Sequence, residues 1–307
     1  LVTEGSILTL VDNFERGKID YINHLLELPN VKLLTGDLLN EDFCNRAIEG
    51  ADIVIHLASK VGGIGFYTGK PYLVMDSNIT MDSNVLRATI NNNVERYFYA
   101  STSHLYPIEL QGTPDSPPIT EDQAYPASPE LSYGWAKLIG EKQIESAIKE
   151  TKSFRASIAR YIGIFGENQD IALETGSVIP VFSHRAIKYP VIPFSVWGTG
   201  QETRSYCYIT DAIECTKLMI ENMEERPLVG PYNVGKQERH SIEEIALTII
   251  DISRKEIQIE FDTTKETLIW GQWCDCSAVK RDLGWEAKVS FRDGLQKVYE
   301  DVKRRIQ

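Results

Sequence analysis

The chain has 307 residues, 42% of them hydrophobic and 25% charged, an ordinary globular composition with a length typical of about two domains. The formal net charge of −12 argues against surfaces for nucleic acid or anionic membranes, because both need basic patches. The apolar runs are too short for a transmembrane helix, and five scattered cysteines, of which only Cys274 and Cys276 are close together, predict reduced cytoplasmic thiols and no metal site.

The predicted elements alternate between short β-rich runs and amphipathic helices, a rhythm typical of parallel α/β folds. Residues 1–4 read as a helix end capped by Gly5, and the first strand of the sheet is expected upstream of residue 1. In chain order we predict strand 6–11, helix 18–28, strand 31–34, helix 41–48, strand 51–57, helix 78–91, strand 96–100, helix 132–149, strand 155–161 and helices 211–222, 241–252 and 291–305.

The rhythm changes after Gly166, where elements become shorter and Pro, Gly and Trp more frequent. We therefore predict a Rossmann-type, doubly wound parallel sheet over 1–166, incomplete at its N-terminus, to which segments around 205–235 return. An interleaved, smaller mixed α/β domain over 167–307 is expected to bind the substrate.

The ends of three predicted strands carry a candidate dinucleotide site. In a Rossmann fold, an acid at the end of the second strand binds the adenosine ribose, about 20 residues after a Gly-rich phosphate loop. Asp12 fits that acid, so the loop is expected upstream of residue 1, and the carboxylate repels a 2′-phosphate, which predicts NAD rather than NADP. Asp37 ends the next strand, and Leu57, Ala58 and Ser59 end the one after that. Taken alone, Asp12 is equally well explained as a strand-end turn residue.

A second glycine-rich segment, containing Gly62, Gly63 and Gly65, follows the wrong strand to be the phosphate loop. No helix start with free N–H groups clearly follows it, so we predict a loop that lines the substrate side.

The catalytic candidates are Tyr133 and Lys137, which lie one turn apart on one face of a predicted helix. A lysine ammonium close to a phenol is expected to lower the pKa of Tyr133 toward neutrality and make it a usable acid and base. The hydroxyls of Ser101, Thr102 and Ser103 end the preceding strand, where one of them can hydrogen-bond the substrate oxygen that Tyr133 protonates. Such a Tyr-Lys spacing also occurs by chance on helices.

These motifs together resemble the extended short-chain dehydrogenase/reductase family, which contains the nucleotide-sugar epimerases and dehydratases. Within that family the sequence is similar to the GDP-mannose 3,5-epimerases and GDP-fucose synthases. The resemblance spans essentially the whole chain and rests on Val11-Asp12-Asn13, Gly36-Asp37-Leu38, His56-Leu57-Ala58, Asp76-Ser77-Asn78, 101–107, the Tyr133/Lys137 pair, Arg160-Tyr161 and 197–206.

The resemblance implies roles for individual positions. The catalytic set is Thr102, Tyr133, Lys137 and His104. The cofactor-binding set is Asp12, Asn13, Asp37, Leu38, Leu57, Ala58, Ser59, Asn78, Tyr133, Lys137 and Tyr161, with NAD as cofactor. The substrate-binding set is Gly62, Gly63, Ser103, Val178, Trp197 and Arg204, of which Arg204 contacts the diphosphate.

The sequence also departs from its relatives. His104 stands where they carry a cysteine base, and a histidine can take that role at neutral pH. Ala172 aligns with their second acid/base, Gln272 replaces a phosphate-binding arginine, and no Asp-Glu pair follows Thr102 as it does in 4,6-dehydratases.

The expected function is that of an NAD-dependent epimerase acting on a GDP- or UDP-hexose through a transient 4-keto sugar. A 4-dehydrogenase, decarboxylase or dehydratase on the same scaffold is the alternative, and a catalytically inert NAD-binding regulatory protein is a further one. The expected partners are a nucleotide-diphosphate sugar and a second copy of the chain, joined through helices 78–91 and 132–149, with no nucleic acid and no membrane.

Overall fold

Parallel β-strands organise the chain in the computed structural model, which describes residues 5–265 and 269–306. The helix end predicted at residues 1–4 lies outside the described residues. The strands are β1 Leu8–Asp12, β2 Val31–Thr35, β3 Ile53–His56, β4 Arg96–Thr102, β5 Arg155–Tyr161, β6 Ile164–Phe165, β7 Phe194–Trp197, β8 Thr203–Arg204, β9 Cys207–Tyr208, β10 Leu228–Val234, β11 His240–Ser241, β12 Ile259–Asp262 and β13 Gly271–Gln272. The helices are α1 Asn23–Leu26, α2 Glu41–Ile48, α3 Ile64–Gly69, α4 Pro71–Asn91, α5 Ser132–Glu150, α6 Val178–Lys188, α7 Ile209–Glu221, α8 Ile242–Ser253, α9 Ser277–Leu283 and α10 Phe291–Ile306.

The main sheet has the strand order β10-β5-β4-β3, and all of its pairings are parallel. A second parallel pair joins β1 to β2, with Asp12 opposite Thr35 at the carboxyl end. Residues 97–99 of β4 are buried aromatics, as expected for a strand covered by helices on both faces.

Separate apolar clusters cover the two faces of the main sheet. One contains Cys44, Leu86 and Ile144, from α2, α4 and α5. The other contains Met219 and Val279, from α7 and α9. A third cluster joins α6, α8 and α10 to β7, outside the main sheet. The strand β10 lies beside β5, and the division into domains at about residue 166 stays a prediction.

Several predicted elements differ from the structure. The helix predicted over 18–28 is a single 3-10 turn, Ile19–Tyr21, followed by α1, and neither piece has a buried residue to stabilise it. The loop predicted around Gly62 to Gly65 is wrong in part, because α3 begins there with Gly63 as its N-cap. Helix α4 begins earlier than predicted, at Pro71, whose ring fits the first turn of a helix. Helix α6 was not predicted.

Two structural absences concern the described part of the chain only. None of its helices combines the length and the apolar character that crossing a bilayer requires. None of its His, Cys, Asp and Glu side chains come together in a group of three or more that could hold a metal ion.

Candidate active site

Tyr133 lies in the first turn of α5, and its side chain is directed at the ends of β3 and β4. Its hydroxyl faces the side-chain hydroxyls of Ser59 and Thr102, which act to lower its pKa. The ring of Tyr133 stacks on that of Tyr67 from α3, with 5.3 Å between ring centres. The structure therefore brings Thr102, Ser59 and Tyr133 close together, and their catalytic and cofactor-binding roles stay predictions.

A close contact between backbones fixes this arrangement. A Cβ atom on Gly134 would lie 2.1 Å from the carbonyl oxygen of His104, so only glycine allows α5 to pack so tightly on the turn after β4. In that turn the His104 N–H donates to Thr102 Oγ1 at 3.2 Å, and the Ser103 carbonyl accepts from the Tyr106 N–H. The residue after Tyr133 thus sets the distance between the two predicted catalytic segments.

The expected effect of Lys137 on Tyr133 is wrong for this structure. Burial raises the pKa of Tyr133 to about 12, and the charge of Asp82 raises it further. The Lys137 ammonium lies 3.5 Å from a carboxylate oxygen of Asp82, and burial lowers the pKa of the lysine. Desolvation of the phenol is therefore larger than any lowering of its pKa by Lys137, which the helical spacing alone had suggested.

Asn78 is fully buried and holds the segment after β3 with all of its polar atoms. Its Oδ1 accepts from Ser59 Oγ at 2.7 Å and from the Lys60 N–H at 2.8 Å. Its Nδ2 donates to the carbonyls of Lys60 and Val74. Asn78 therefore positions Ser59, whose hydroxyl faces Tyr133. It also holds the segment 59–60, which follows the predicted cofactor residues at the end of β3.

The predicted adenosine-side residues form one exposed cluster at the ends of β1 and β2. The Asp12 carboxylate accepts from the Phe14 N–H at 2.7 Å. Asn13 Nδ2 donates to Asp37 Oδ2 at 3.5 Å, which connects the two strand ends. Leu38 follows Asp37, and its carbonyl accepts a hydrogen bond from the side-chain amide of Asn84 on α4.

The other predicted cofactor residues lie at the ends of β3 and β5. Leu57 is 60% exposed, although it is a leucine, and the half-buried Ala58 follows it. The Tyr161 hydroxyl shares a 2.5 Å hydrogen bond with Thr216 of α7.

The predicted substrate side centres on His104. Its Nδ1 lies 3.4 Å from Gln272 Nε2, and its ring centre is 6.1 Å from that of Tyr133. Burial lowers the pKa of His104 to about 4, and the nearby Arg204 guanidinium lowers it further. The guanidinium of Arg204 donates to the backbone carbonyls of Thr203 and Ile269, each at 2.8 Å. His104, Tyr133, Arg204 and Gln272 are thus close together in space.

The remaining predicted substrate residues lie around this centre or further away. Gly62 packs closely on Phe66, where a Cβ would lie 2.6 Å from the phenylalanine side chain, and Gly63 is the N-cap of α3. Val178 begins α6 and packs against the third apolar cluster. Trp197 ends β7, is 47% exposed, and has the Lys265 ammonium 5.4 Å from its ring centre.

Sequence reasoning missed a buried polar cluster behind Lys137. Asp82 on α4 contacts His56 of β3, Tyr99 of β4 and Lys137, and each of these side chains is almost fully buried. One signal was available, because Asp82 follows Asn78 by four residues and so shares its helix face.

Sequence reasoning also missed a buried ion pair that joins β5 to α5. Arg160 donates from Nε to Glu141 Oε1 at 3.0 Å and from NH2 to Oε2 at 2.8 Å. Ser101, next to Thr102, donates to Glu141 Oε1 at 2.5 Å. The pair therefore fixes the end of β4 against the helix that carries Tyr133.

A family model described as the NAD dependent epimerase/dehydratase family matches residues 3–235. Among curated proteins, the chain is 29% identical over 272 residues to GDP-mannose 3,5-epimerase 1 of Oryza sativa subsp. japonica, covering 88% of this chain and 70% of that protein. It is 26% identical over 317 residues to UDP-glucuronic acid decarboxylase 1 of Arabidopsis thaliana, covering 100% of this chain and 66% of that protein.

Solved structures share the fold. The UDP-glucose 4-epimerase of Thermotoga maritima, determined with UDP-glucose, superposes with a TM-score of 0.85 at 22% identity, covering 100% of this chain and 94% of that one. The UDP-glucose 4-epimerase of Thermus thermophilus, in complex with NAD, gives 0.82 at 20% identity, covering 98% and 93%. This likeness confirms the predicted Rossmann-type α/β class.

Proposed function

The chain belongs to the NAD dependent epimerase/dehydratase family, and from this premise we propose that it is a nucleotide-sugar epimerase that works through a transient 4-keto sugar. Membership confirms the resemblance found in the sequence, the expectation of an enzyme of this class, and NAD as its cofactor. The proposal is carried by the meeting of Tyr133, Thr102 and His104 at one place, next to Arg204.

The residues at the strand ends fit a dinucleotide. Asp12 and Asp37 are exposed carboxylates that would accept hydrogen bonds from adenosine hydroxyl and amino groups. Leu57, which follows β3, exposes an apolar side chain that a flat base would cover. Bound NAD supplies a hydride acceptor that returns the hydride at the end of the cycle.

Tyr133 and Thr102 act on the carbinol. Because its pKa is raised to about 12, Tyr133 is protonated at neutral pH, which suits it to donate a proton to a carbonyl oxygen. In the opposite direction the phenolate form of Tyr133, a small fraction at neutral pH, receives the proton of the C4 hydroxyl, while Thr102 hydrogen-bonds the same oxygen. One phenol therefore serves oxidation and reduction.

His104 acts on the carbon. Its pKa of about 4 keeps the imidazole neutral at physiological pH, so it can accept a proton from a C–H bond next to the 4-keto group. The ketone makes this step feasible because it delocalises the charge left on the carbon. Ala172, an exposed methyl side chain, cannot move a second proton, which favours a change at one carbon only.

Arg204 binds the diphosphate in this proposal. It is a buried guanidinium whose described hydrogen bonds go to neutral backbone carbonyls, and burial lowers its pKa. A phosphate oxygen would supply the negative charge that a buried guanidinium favours.

The test is solvent deuterium exchange into a panel of GDP- and UDP-sugars. The wild type is expected to incorporate deuterium at the carbon beside C4. His104→Asn is expected to lose about 100-fold in exchange rate while still forming a transient NADH signal, because the oxidation step does not need the imidazole.

The matched control is His24→Asn, an exposed histidine on α1, which is expected to exchange like the wild type. Stereochemical change without deuterium would contradict the role of His104 and leave a hydride-only epimerase. A persistent NADH signal would indicate net oxidation, and no turnover across the panel would contradict the enzyme proposed here.

We also propose that two copies associate through α4 and α5 in a reducing, cytoplasmic setting. A groove of about 700 Å³ lies between these helices, lined by apolar Leu86, Ile90 and Ile139 and by the exposed Trp135. Arg87, Lys142 and Glu150 also line this groove, so a two-fold related copy would bring side chains of both charges to the interface. All five cysteines are free and buried, which supports the compartment.

Trp135→Glu is expected to weaken this dimer by about 2 kcal/mol or more, since a central tryptophan is typically a hot spot. Sedimentation velocity over a dilution series measures the shift. Trp197→Glu, an exposed tryptophan outside the groove, serves as the control. A wild-type protein that sediments as a monomer at every concentration would contradict the dimer.

A further inference from the structure

A buried carboxylate on α4 lies beside the lysine of the catalytic pair. Asp82 Oδ1 is 2.8 Å from His56 Nε2, and Oδ2 accepts from the Tyr99 hydroxyl at 2.5 Å. The Lys137 ammonium is 3.5 Å from the same Oδ2 and 4.5 Å from the centre of the Tyr99 ring. The side chains of Asp82, His56 and Lys137 are all 2% exposed or less.

A buried ammonium needs an anion close by, because desolvation otherwise favours its neutral form. Within the described part of the chain, Asp82 is the carboxylate in ion-pair contact with Lys137. Glu141, one turn further along α5, is already bonded to Arg160 and to Ser101. The lysine therefore depends on α4, a neighbouring helix, for its charge partner.

The side chains around this ion pair are tightly packed. A Cβ on Gly140 would lie 2.2 Å from the Tyr99 hydroxyl oxygen and 3.3 Å from Asp82 Oδ2, so a glycine at this point of α5 makes room for the cluster. Asp82 also shares its helix face with Asn78, which holds Ser59 against Tyr133. One face of α4 thus supports both the phenol and the lysine.

We propose that Asp82 is a positioning residue that keeps Lys137 charged and fixed in place below Tyr133, with His56 and Tyr99 as the donors that orient the carboxylate. The catalytic part of this inference rests on the proposed function, whereas the effect on Lys137 itself does not. Removing the charge of Asp82 leaves the buried Lys137 without its ion-pair partner, so its proton is held less tightly in the folded chain.

The first test uses stability and needs no substrate. Asp82→Asn keeps the shape and removes the charge, so the pKa of Lys137 in the folded variant falls further below that of the unfolded chain. The unfolded variant then binds more protons than the folded one, and its stability rises with pH relative to the wild type. Urea unfolding is measured between about pH 7.5 and about pH 9.5, above the ordinary titration range of histidine imidazoles and below that of tyrosine phenols.

We expect the ratio of the unfolding constants, variant over wild type, to fall by about tenfold or more across this range, which corresponds to one pKa unit. A ratio that stays within about twofold overturns the proposal. If Asp82→Asn does not fold, the double variant Asp82→Asn/Lys137→Met must fold, because it removes the unpaired ammonium. Failure of both also overturns the proposal.

The second test is the pH profile of kcat. For Asp82→Asn we expect a loss of about tenfold at pH 7.5 and a further fall toward higher pH, as Lys137 loses its proton. Thr89→Val, which removes a buried 2.7 Å hydrogen bond on the same helix, is the control and is expected to keep the wild-type profile. A variant profile parallel to the wild type overturns the positioning role. If no sugar turns over, the proposed function fails while the unfolding data still decide the role of Asp82.

Discussion

Tyr133→Phe is expected to lower kcat by about 10⁴-fold, the upper end of the range for a general acid/base residue, because the same phenol acts in oxidation and in reduction. The substitution keeps the ring that stacks on Tyr67 and removes only the hydroxyl that faces Ser59 and Thr102. Single-turnover formation of NADH with each active sugar is the measurement.

The control for this experiment is Tyr72→Phe, a highly exposed tyrosine on α4, which is expected to turn over like the wild type. Far-ultraviolet circular dichroism should be unchanged in both variants, and Tyr72→Phe should bind NAD like the wild type. A Tyr133→Phe variant that keeps more than about a tenth of the wild-type rate would show that another group moves the proton.

The state of the phenol also predicts how wild-type activity depends on pH. Because burial raises the pKa of Tyr133 to about 12, its ionised fraction rises throughout the neutral and mildly alkaline range. Oxidation of the carbinol, which needs the phenol to receive a proton, should therefore quicken with pH until another group limits it. Lys137 is one such group. Burial lowers its pKa and the charge of Asp82 opposes this, so loss of the ammonium proton at alkaline pH sets an upper limit on the rate.

The sequence was sufficient for elements whose residues are buried in a regular pattern. The helix at 41–48 and the strand at 155–161 have the predicted bounds, since each presents an apolar face or run to the sheet. The helix predicted over 18–28 failed because its apolar residues have no core to pack against. Helix α6 was not predicted; it contains Pro180, a residue typical of helix breaks, in its first turn, where the missing N–H costs nothing.

The candidate site shows a similar limit. The meeting of Thr102 with Tyr133 was predictable, since strand ends and a helix start converge at one edge of a parallel sheet. The ionisation of Tyr133 was not, because a spacing of four residues says nothing about burial or about a carboxylate on another helix. Asp82, His56 and Tyr99 come from three elements, and their contact exists only after α4, β3 and β4 have packed.

Arg160→Met is expected to destabilise the fold by about 3–5 kcal/mol, the typical cost of leaving one partner of a buried pair without its counter-ion. Arg160 and Glu141 are nearly fully buried and share two hydrogen bonds. Without the guanidinium, Glu141 keeps Ser101 as a donor but loses its positive partner. Urea unfolding at neutral pH measures the change.

A double variant decides how that stability arises. Arg160→Met/Glu141→Leu removes both charges and should recover most of the loss, since apolar pairs of similar volume often replace buried ion pairs at little cost. Arg292→Met, which breaks an exposed pair with Asp251, is the control and should cost less than about 1 kcal/mol. A single variant as stable as this control would contradict a tightly held pair. Because Ser101 precedes Thr102, a fold that survives Arg160→Met should still lose catalytic rate, as the hydroxyl facing Tyr133 is no longer held in place.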